Sequence, residues 1–359
     1  MKLSTPTAIM LGTLSVLVAC GGEQRDGAGR CPDDTPLGGA TAAGKLAFSG
    51  GDGIFLINAD GCGLTSINDW GWDPIWSPDG EQIAFQSCEG DLGSSTCDIY
   101  LINADGSGLT NLSDYSGQEG YGVTWSPDAR RLAFRSDRDG DYEIYVVNAD
   151  GSGLAKLTNN HADDFAPAWS PDGSRIAFQS DRDGNDDIYI MNTDGSDQIN
   201  LTKDPEDSIF ELFTISLGEP WSPDGKQIAF HKCSWGASLI YCDIFVMNPD
   251  GSNPVNLTNS PANDSDVSWS PDGSQIAFGS NRDGDLEIYA VNADGSGLVN
   301  LTQDPASDED YPAWSPDGSQ IAYESGYMIY VMNANGPEKT LLADSGVATS
   351  KAWAPVPGR

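Results

Sequence analysis

Basic residues are scarce in this chain of 359 residues. Lysine and arginine together number 18, against 54 aspartates and glutamates, and the formal net charge at pH 7 is −36. So strong a negative charge repels phosphate backbones and anionic lipid headgroups, which excludes nucleic acid and a directly bound membrane surface as partners. Many of the acids occupy turns, so a solvated, solubility-promoting surface is one interpretation. A cationic or basic partner is the other.

Residues that commonly carry catalysis are also few. Only two histidines occur, His161 and His231, which excludes a histidine-rich metal centre. The Gly-x-Ser-x-Gly motif of a hydrolase nucleophile is absent from the sequence. A pair of carboxylates about 5–10 Å apart would suffice for glycoside hydrolysis, but among so many acids such a pair arises by chance. The sequence therefore gives little support for catalysis, and we predict no catalytic residue and no cofactor.

A long apolar run is missing as well. The apolar stretch from Ala8 to Val18 is too short to span a bilayer. It follows Lys2 and leads into Val18-Ala-Cys20, which is typical of a bacterial lipoprotein signal with a lipid-modified cysteine. An ordinary cleaved secretory signal is the alternative, because small residues before Cys20 also suit simple cleavage.

The N-terminal region therefore predicts a location. We expect a signal peptide over residues 1–19, and lipidated Cys20 followed by a flexible Gly- and Ala-rich tether over residues 20–43. The residue after the cysteine is glycine and not aspartate, which favours outer-membrane sorting over inner-membrane retention. The chain is thus predicted to be anchored in a bacterial cell envelope, facing the periplasm or the exterior, with the lipid as its only membrane contact.

One segment is present in many copies. Successive tryptophans that begin it lie 44 to 52 residues apart. Trp-Ser-Pro-Asp-Gly begins at Trp76, Trp169, Trp221, Trp269 and Trp314, and Trp125-Ser-Pro-Asp-Ala is an altered sixth copy. A period of this length fits four short strands and is typical of a propeller blade.

Every period contains the same four segments, here named strands A to D. Strand A ends at the tryptophan, and Ser-Pro-Asp-Gly predicts a type I turn, with glycine at the left-handed position that follows. Strand B is an Ile-Ala-Phe segment, and a turn of the Asp-Arg-Asp-Gly type leads to strand C. Asn-Ala-Asp-Gly then leads to strand D. Because all the connections are hairpins, each sheet is predicted to be antiparallel.

The elements agree on seven blades. Strand B begins at Leu46, Ile83, Leu132, Ile176, Ile228, Ile276 and Ile321. No tryptophan strand precedes Leu46, yet the chain ends with an unattached one around Trp353. We therefore predict an all-β fold, a seven-bladed β-propeller of four-stranded antiparallel blades over residues 44–359. Its ring is closed by the C-terminal strand in blade 1, which removes the free sheet edges.

These repeats resemble a known family. The segments SPDG, SDRDGN, IYVVNADG and NLT are similar to those of the TolB-like propeller family of WD-type repeats, over roughly residues 44–355. The resemblance implies a toroid with a central channel and a binding role. Two features depart from TolB itself: the separate α/β domain before the propeller is absent here, and we count seven blades where TolB has six.

The cysteines predict three disulfides. With Cys20 assigned to lipid, six remain, an even number for an oxidising compartment. Cys88 and Cys97 flank the B–C hairpin of blade 2, and Cys233 and Cys242 flank that of blade 5 with the same spacing. A disulfide across a lengthened hairpin constrains the unfolded chain, by roughly 2–3 kcal/mol. The remaining pair, Cys31 and Cys62, would fasten the tether to blade 1.

Some B–C turns superficially resemble calcium loops. Asp137-Arg-Asp139-Gly-Asp141-Tyr-Glu143 is one, and similar turns occupy residues 181–187 and 281–287. These turns lack the glycine at loop position six and the distant bidentate glutamate of an EF-hand. We interpret them as structural turns, with calcium binding as the alternative.

The topology predicts two unlike faces. In an antiparallel blade the B–C hairpins and the D-to-A connections share one end, here named the variable face. The A–B and C–D turns share the other, the turn face, which is regular in sequence. The variable face receives both disulfide hairpins, both histidines and the longest insertion, Lys203 to Pro220, whose apolar residues we expect in an exposed connecting loop.

Aromatic residues outside the repeat and acids before the inner strands complete a predicted binding site on the variable face. Packing between loops is the alternative role for each ring, although aromatics beside carboxylates at a channel mouth suit a polypeptide or glycan. The predicted binding residues are Trp70, Trp72, Tyr121, Phe210, Phe213, Trp235, Asp73, Asp164, Asp266 and Asp310. Tyr311 belongs to the same set of rings.

The function predicted from the sequence is therefore a monomeric, lipid-anchored propeller that binds a protein partner through its variable face. The alternative is a propeller that binds or degrades glycans of the cell envelope. Two facing carboxylates in the channel, surrounded by stacked aromatics, would favour the alternative.

Overall fold

A computed structural model describes residues 44–51, 53–89, 96–113, 122–203, 211–214, 220–235, 240–304, 307–344 and 351–355. These residues form 28 strands in seven four-stranded sheets, and all strand pairs are antiparallel. The predicted seven-bladed fold is confirmed. The described part of the chain contains no helix with the length and apolarity needed to cross a membrane.

The strands are numbered β1 to β28 along the chain, and each occupies position A, B, C or D of its blade. Blades 1 to 7 are numbered by the order of their strands B along the chain. Strands A are β4 (Trp72–Trp76), β8 (Thr124–Trp125), β12 (Asp164–Trp169), β16 (Glu211–Thr214), β20 (Asp264–Trp269), β24 (Glu309–Trp314) and, for blade 1, β28 (Lys351–Trp353). Strands B are β1 (Lys45–Gly50), β5 (Gln82–Glu89), β9 (Arg131–Ser136), β13 (Arg175–Ser180), β17 (Ile228–Trp235), β21 (Gln275–Ser280) and β25 (Gln320–Ser325).

The remaining strands occupy the outer half of each blade. Strands C are β2 (Gly53–Asn58), β6 (Thr96–Asn103), β10 (Glu143–Asn148), β14 (Asp187–Asn192), β18 (Ile240–Met247), β22 (Glu287–Asn292) and β26 (Met328–Asn333). Strands D are β3 (Thr65–Asn68), β7 (Thr110–Asn111), β11 (Ala155–Lys156), β15 (Ile199–Asn200), β19 (Val255–Asn256), β23 (Val299–Asn300) and β27 (Gly336–Asp344).

Strands A are innermost, since those of neighbouring blades pack on one another, as β28 does on β4 and β20 on β24. Five of the seven edge strands D contain only two residues. Short outer strands offer little backbone for pairing with another molecule, so the ring protects its edges against aggregation.

The hydrophobic core is divided into seven clusters, and each lies between two neighbouring blades. The repeated Ile-Ala-Phe segment explains this, because alternate residues of a strand point to opposite faces of the sheet. Ile83 and Phe85 pack toward blade 1, while Ala84 between them packs toward blade 3. In every blade the aromatic ring of strand B also pairs with a ring of strand C, at 5.5–6.0 Å between centroids.

The C-terminal strand closes the ring in blade 1, as predicted. Leu46 in β1 pairs with Trp353 in β28, and the backbone N–H of Ala354 donates to the carbonyl of Lys45 at 2.8 Å. The indole Nε1 of Trp353 reaches across to blade 7, where it donates to the carbonyl of Ala313 at 3.0 Å. The first and the last strand of the propeller thus belong to blade 1, and the last strand is also bound to blade 7.

One expectation about the long insertion is wrong. Residues 211–214, expected in a connecting loop, form β16 and pair with the far end of β17, Leu212 opposite Cys233. Strand β17 has eight residues because its hairpin is lengthened, and the longer edge offers the insertion backbone to pair with. After the insertion, the tryptophan of the repeat, Trp221, pairs with Ile228 through a single antiparallel β-bridge.

Candidate functional site at the variable face

The inner strands share a bulge three residues before the tryptophan. The register between strands A and B shifts there in blades 2, 4, 6 and 7. At this position Asp73, Ala166, Asp266 and Tyr311 have φ values of 53°, 45°, 56° and 53°. A positive φ is uncommon outside glycine, and bulges re-aim a side chain next to functional sites. The bulge lies near the start of strand A, toward the variable face.

Strand B supplies a second special position, directly after its Ile-Ala-Phe segment. The residues there differ among the blades and are Ser49, Gln86, Arg135, Gln179, His231, Gly279 and Glu324. Strand B of one blade packs against strand A of the next, as β1 does on β4 and β21 on β24. The backbone N–H of Asp73 accordingly donates to Ser49 Oγ at 3.3 Å, from blade 2 to blade 1. Variable side chains therefore meet the bulges around the propeller axis.

Asp266 and Asp310 are the two predicted site residues that the structure brings together. The charge of Asp266 acts on the Asp310 carboxyl, and the backbone N–H of Tyr311 donates to Asp310 Oδ1 at 2.8 Å. Burial, and after it the negative charge of Asp266, raises the pKa of Asp310 to about 7. Near neutral pH the Asp310 carboxyl is therefore poised between its protonated and its ionised form.

A buried ion pair lies beside these carboxyls. Lys351 Nζ is 3.4 Å from Glu324 Oε1, and the two side chains are only 1% and 7% exposed. The pair joins strand B of blade 7 to the C-terminal strand in blade 1. Burial lowers the pKa of Lys351, while the charges of Glu324, Asp310 and Asp266 oppose that shift. The lysine thus offsets part of the negative charge at the mouth.

His231 and Tyr311 complete what we name the mouth cluster. The His231 side chain is buried, and burial lowers its pKa against the opposing charges of Asp266 and Asp264. Tyr311 is 52% exposed, and its pKa is raised by burial of its other half and by the surrounding carboxylates. The mouth cluster consists of Asp73, His231, Asp266, Asp310, Tyr311, Glu324 and Lys351.

Exposed rings extend the site away from the axis. Tyr327 is 63% exposed in the B–C turn of blade 7, and Met328 beside it is also exposed. Tyr241 is exposed next to Cys242 in the disulfide hairpin of blade 5. All of these residues lie on the variable face, because each belongs to a B–C hairpin. The face therefore combines exposed aromatic surface with carboxylates at the axis.

Asp164 has a different position from Asp266 and Asp310. It is fully buried at the start of β12, where both of its oxygens accept hydrogen bonds from Arg182 at 3.0 Å. Arg182 comes from the B–C turn of the same blade and covers the ring of Tyr189. Arg282 holds Asp264 in the same way in blade 6. Asp164 thus fastens a hairpin to its inner strand.

The predicted tryptophans also differ in their surroundings. The ring of Trp70 packs edge-on against Tyr100 at 4.7 Å and Phe85 at 5.7 Å between centroids, so it contributes to the core of blade 2. Trp72 is half-buried at the start of β4, opposite Gln86 at the variable position of strand B. Trp72 therefore lies closer to the mouth than Trp70 does.

Four of the predicted residues lie outside the described side chains. Tyr121 and Phe210 lie outside the described residues. Phe213 and Trp235 lie in β16 and β17, of which only the backbone course is described there. Strand pairing sets Phe213 opposite Lys232, beside the disulfide hairpin of blade 5.

Both hairpin disulfides are confirmed. Cys88 is bonded to Cys97 and Cys233 to Cys242, each pair facing across the lengthened B–C hairpin. Cys62 is also disulfide-bonded. Its predicted partner Cys31 lies outside the described residues, so that pairing stays a prediction.

The turns that resemble calcium loops use their carboxylates for protein contacts. Asp139 accepts a hydrogen bond from the Tyr145 hydroxyl at 2.6 Å and lies 3.4 Å from Lys156 Nζ. Glu143 is fully buried, 3.3 Å from the same ammonium. Across the described residues, no three His, Cys, Asp or Glu side chains form a group that could hold a metal ion. These contacts support the interpretation as structural turns.

The turn face is built from self-contained turns. In blade 4, Asp172 Oδ1 accepts hydrogen bonds from the Ser170 hydroxyl and from the backbone N–H of Ser174. In the C–D turn of blade 6, Asp294 holds Ser296 in the same way. These hydrogen bonds lower the pKa of both aspartates and engage their carboxylates within the turn.

Sequence reasoning missed four residues of the variable face as site residues, namely Lys351, Glu324, Gly279 and Tyr327. A signal for two of them was present. The residue after Ile-Ala-Phe varies between blades inside an otherwise constant strand, and this variation marks Gly279 and Glu324. Lys351 carried no such signal, because it meets Glu324 only when the ring closes.

Comparison with known proteins agrees with this geometry. A model of the TolB β-propeller domain matches residues 72–210 and 207–357. The chain belongs to the TolB β-propeller family. A sequence comparison with curated proteins found no significant match.

Solved structures show the same fold at low sequence identity. TolB from Acinetobacter baumannii is 21% identical with a TM-score of 0.55, covering 76% of this chain and 66% of that one. An oligogalacturonate lyase from Vibrio parahaemolyticus is 17% identical with a TM-score of 0.58, covering 83% and 84%. The propeller of the Trilobed protease from Pyrococcus furiosus is 12% identical with a TM-score of 0.61, covering 86% and 97%. Because these proteins have different names and activities, the shared fold alone does not decide a function.

Proposed function

We propose that this TolB-family propeller binds a protein partner through its variable face, centred on the mouth cluster. The observation that supports this proposal is that three features lie on one face. They are the position of strand B that differs between blades, the positive-φ bulges of strand A and the exposed rings. The other face consists of repeated turns whose polar groups satisfy one another. Strained bulges beside partly exposed aromatics are typical of a binding site.

The charge at the mouth favours a basic region on the partner. Four carboxyls of the mouth cluster face one ammonium, that of Lys351, which is itself paired with Glu324. The whole chain carries a net charge of −36. Complementary charge steers association and selects against acidic partners, while the rings supply the affinity.

The proposed setting is the bacterial envelope. It is supported by the lipoprotein-like sequence over residues 1–19, by Cys20 and by the confirmed disulfides, which persist in oxidising compartments. In this proposal residues 20–43 tether the propeller to the membrane, so that one face can meet a partner in the same envelope.

Glycan hydrolysis is less well supported by the site. The two carboxyls beside Tyr311, those of Asp266 and Asp310, lie close enough that the charge of Asp266 contributes to raising the pKa of Asp310. Glycosidases keep their two carboxyls about 5–10 Å apart so that substrate or water fits between them.

The test is capture of the partner from crosslinked cell envelopes with the purified chain as bait. Tyr311→Ala with Tyr327→Ala should weaken binding of the captured protein, because each buried anchor contributes about 2 kcal/mol, or roughly thirtyfold. Phe210→Ser with Phe213→Ser, and Trp72→Ala with Trp235→Ala, test the outer part of the face in the same way. Melting temperatures should stay close to that of the unchanged chain.

Matched controls come from the connections between strands C and D, on the turn side. Leu109 and Leu298 are exposed to a similar degree as Tyr311 and belong to the repeat. Leu109→Ala with Leu298→Ala should leave binding unchanged. Binding that survives every substitution on the variable face, or that is lost in the control, would contradict the proposal, and capture of glycan in place of protein would favour the alternative.

A further inference from the structure

Met328 is a methionine that the fold exposes on the variable face. Its side chain is 38% exposed, whereas the other methionines of the described part of the chain are at most 2% exposed. The buried ones are Met191, Met247 and Met332. Met1 and Met10 lie outside the described residues. Met328 follows the exposed Tyr327 in the B–C hairpin of blade 7. Among the described methionines, Met328 is therefore the one that a dissolved oxidant reaches most readily.

The hairpin that carries Met328 lacks an acceptor found in other blades. Ser325 pairs with Met328, so the turn of blade 7 consists of Gly326 and Tyr327. The longer turns of blades 3, 4 and 6 contain an aspartate that accepts a hydrogen bond from the tyrosine of strand C. These pairs are Tyr145 with Asp139, at 2.6 Å, Tyr189 with Asp183, and Tyr289 with Asp283. The corresponding tyrosine of blade 7, Tyr330, has no aspartate in its turn.

Tyr330 uses the methionine in place of that aspartate. Its hydroxyl donates a hydrogen bond to Met328 Sδ at 3.5 Å. The residue opposite Tyr330 in strand D is Leu341, where blades 4 and 6 have Asn200 and Asn300 beside the tyrosine hydroxyl. A thioether sulfur is a weak acceptor, and oxidation to the sulfoxide makes the side chain polar. An oxygen on the sulfur would thus give the hydroxyl a better acceptor.

We propose that Met328 is an oxidation site, at which a peroxide converts the thioether to the sulfoxide and the Tyr330 hydroxyl donates to the new oxygen. The sulfur attacks one oxygen of hydrogen peroxide, so that an S–O bond forms while the O–O bond breaks. The sulfur is oxidised by two electrons. The other peroxide oxygen is reduced and leaves as water, with the proton of the oxygen that was transferred.

Oxidation at this position changes the binding face, a consequence that rests on the proposed function. Met328 lies beside Tyr327, and the sulfoxide replaces a flexible apolar group by a polar one. A polar group that is covered by a partner without a matching hydrogen bond costs free energy. Oxidised protein should therefore bind the partner about tenfold more weakly. Enzymatic reduction of the sulfoxide restores the thioether, which makes the change reversible.

The site itself is tested by peptide mapping of the full chain with mass spectrometry during exposure to hydrogen peroxide. In the folded protein Met328 should gain one oxygen at least about tenfold faster than Met191, Met247 and Met332, because burial excludes the oxidant. In urea the four should react at similar rates. Met332→Leu, at a buried position of the same strand, should keep the fast reaction of Met328. Oxidation of Met328 no faster than that of the buried methionines would overturn the site.

The role of Tyr330 is tested by thermal unfolding before and after oxidation. The shift in melting temperature on oxidation should be more positive in the unchanged chain than in Tyr330→Phe, because phenylalanine has no hydroxyl to donate. Tyr189→Phe removes the hydroxyl at the same place in blade 4 and is the matched control. Its shift on oxidation should equal that of the unchanged chain. Equal shifts in Tyr330→Phe and in the unchanged chain would contradict the hydrogen bond to the sulfoxide.

Binding is measured with the captured partner, after the chain has been oxidised and the peroxide removed. Peroxide should weaken binding by the unchanged chain and by Met332→Leu but not by Met328→Leu, and Met328→Gln should bind like the oxidised chain. Fast oxidation of Met328 with no change in binding would overturn its effect on the face. Capture of no protein at all would contradict the proposed function, while the oxidation rates and melting shifts would still decide the site.

Discussion

Single residues of the repeat are explained by the backbone geometry that each turn requires. The fourth residue of the Ser-Pro-Asp-Gly turn takes a positive φ in each copy, 69° at Gly173 for example. Glycine has no Cβ and accepts this conformation without strain, which is why the sequence alone predicted the turn. The altered copy places Ala129 there with a φ of 58°.

Ala129→Gly should therefore stabilise the protein. The left-handed conformation costs a residue with a Cβ about 1–2 kcal/mol, and glycine gives back part of that gain as unfolded-state entropy, for a net gain of about 1 kcal/mol. Chemical denaturation with both variants measures it, with Gly173→Ala expected to lose about the same amount. A destabilised Ala129→Gly would show that the strain is not relieved.

Asp310 should make stability depend on pH. Its folded pKa of about 7 lies above the ordinary value of 3.8, so the folded state holds the proton more tightly than the unfolded state. The stabilisation is complete below about pH 4 and is lost as the pH rises through 7. Asp310→Asn cannot ionise, so its melting temperature relative to the unchanged chain should increase between pH 5 and pH 8.5. A constant difference over that range would contradict the raised pKa of Asp310, and Glu81→Gln serves as the control.

Hairpins and strands depend on contacts that only partly follow from local sequence. The sequence predicts the Ser-Asp-Arg-Asp-Gly turns as structural, because they lack the glycine and the glutamate of an EF-hand loop. What the sequence could not show is that the arginine reaches back to a buried aspartate at the start of the same blade, since 18 residues separate them. The strand at residues 211–214 was missed for a similar reason, because its partner is the extension of a distant hairpin.

Arg182→Ala should cost about 3–5 kcal/mol of stability, because it leaves the fully buried carboxylate of Asp164 without its cation. Thermal and urea unfolding measure the loss, and Arg130→Ala, at an exposed turn, is the control with little expected effect. Glu309 provides the contrast. It takes the corresponding place in blade 7, with Oε2 lacking a hydrogen-bond partner among the described residues and its pKa raised by burial.

Glu309→Gln should therefore cost far less than Arg182→Ala. A buried carboxyl whose pKa is raised is already closer to the neutral form that glutamine imitates. Losses of equal size in the two variants would show that the arginine of blade 4 contributes little as a charge partner.

The ring as a whole was predictable because the copies of a repeat of nearly fixed length can be counted in the sequence. Blade number, strand order and closure all follow from where the copies of each element begin and end. The mouth cluster was only partly predictable. Asp73, Asp266 and Asp310 were expected near the mouth, but their neighbours come from strand B of one blade and strand A of the next. Bulge geometry and ring closure decide which side chains come into contact, and neither can be read from the local sequence.

Ring closure should contribute strongly to stability. Deleting residues 348–359 removes β28, the Lys351–Glu324 ion pair and the indole hydrogen bond to Ala313, and it exposes the inner edge of β1. The shortened chain should melt at a much lower temperature and self-associate through the open edge, which size-exclusion chromatography detects. Deleting only residues 356–359 should have little effect. Equal melting of both deletions would refute closure by this strand.

The central claim, that the variable face binds the partner, is tested most directly by site-specific photocrosslinking in intact cells. A photoreactive phenylalanine analogue placed at Tyr327 or Tyr311 on the variable face should form a covalent adduct with one protein of defined mass. The same analogue at Leu109 or Leu298 should form none. Adducts from the turn-side positions, with none from Tyr327 or Tyr311, would contradict the claim.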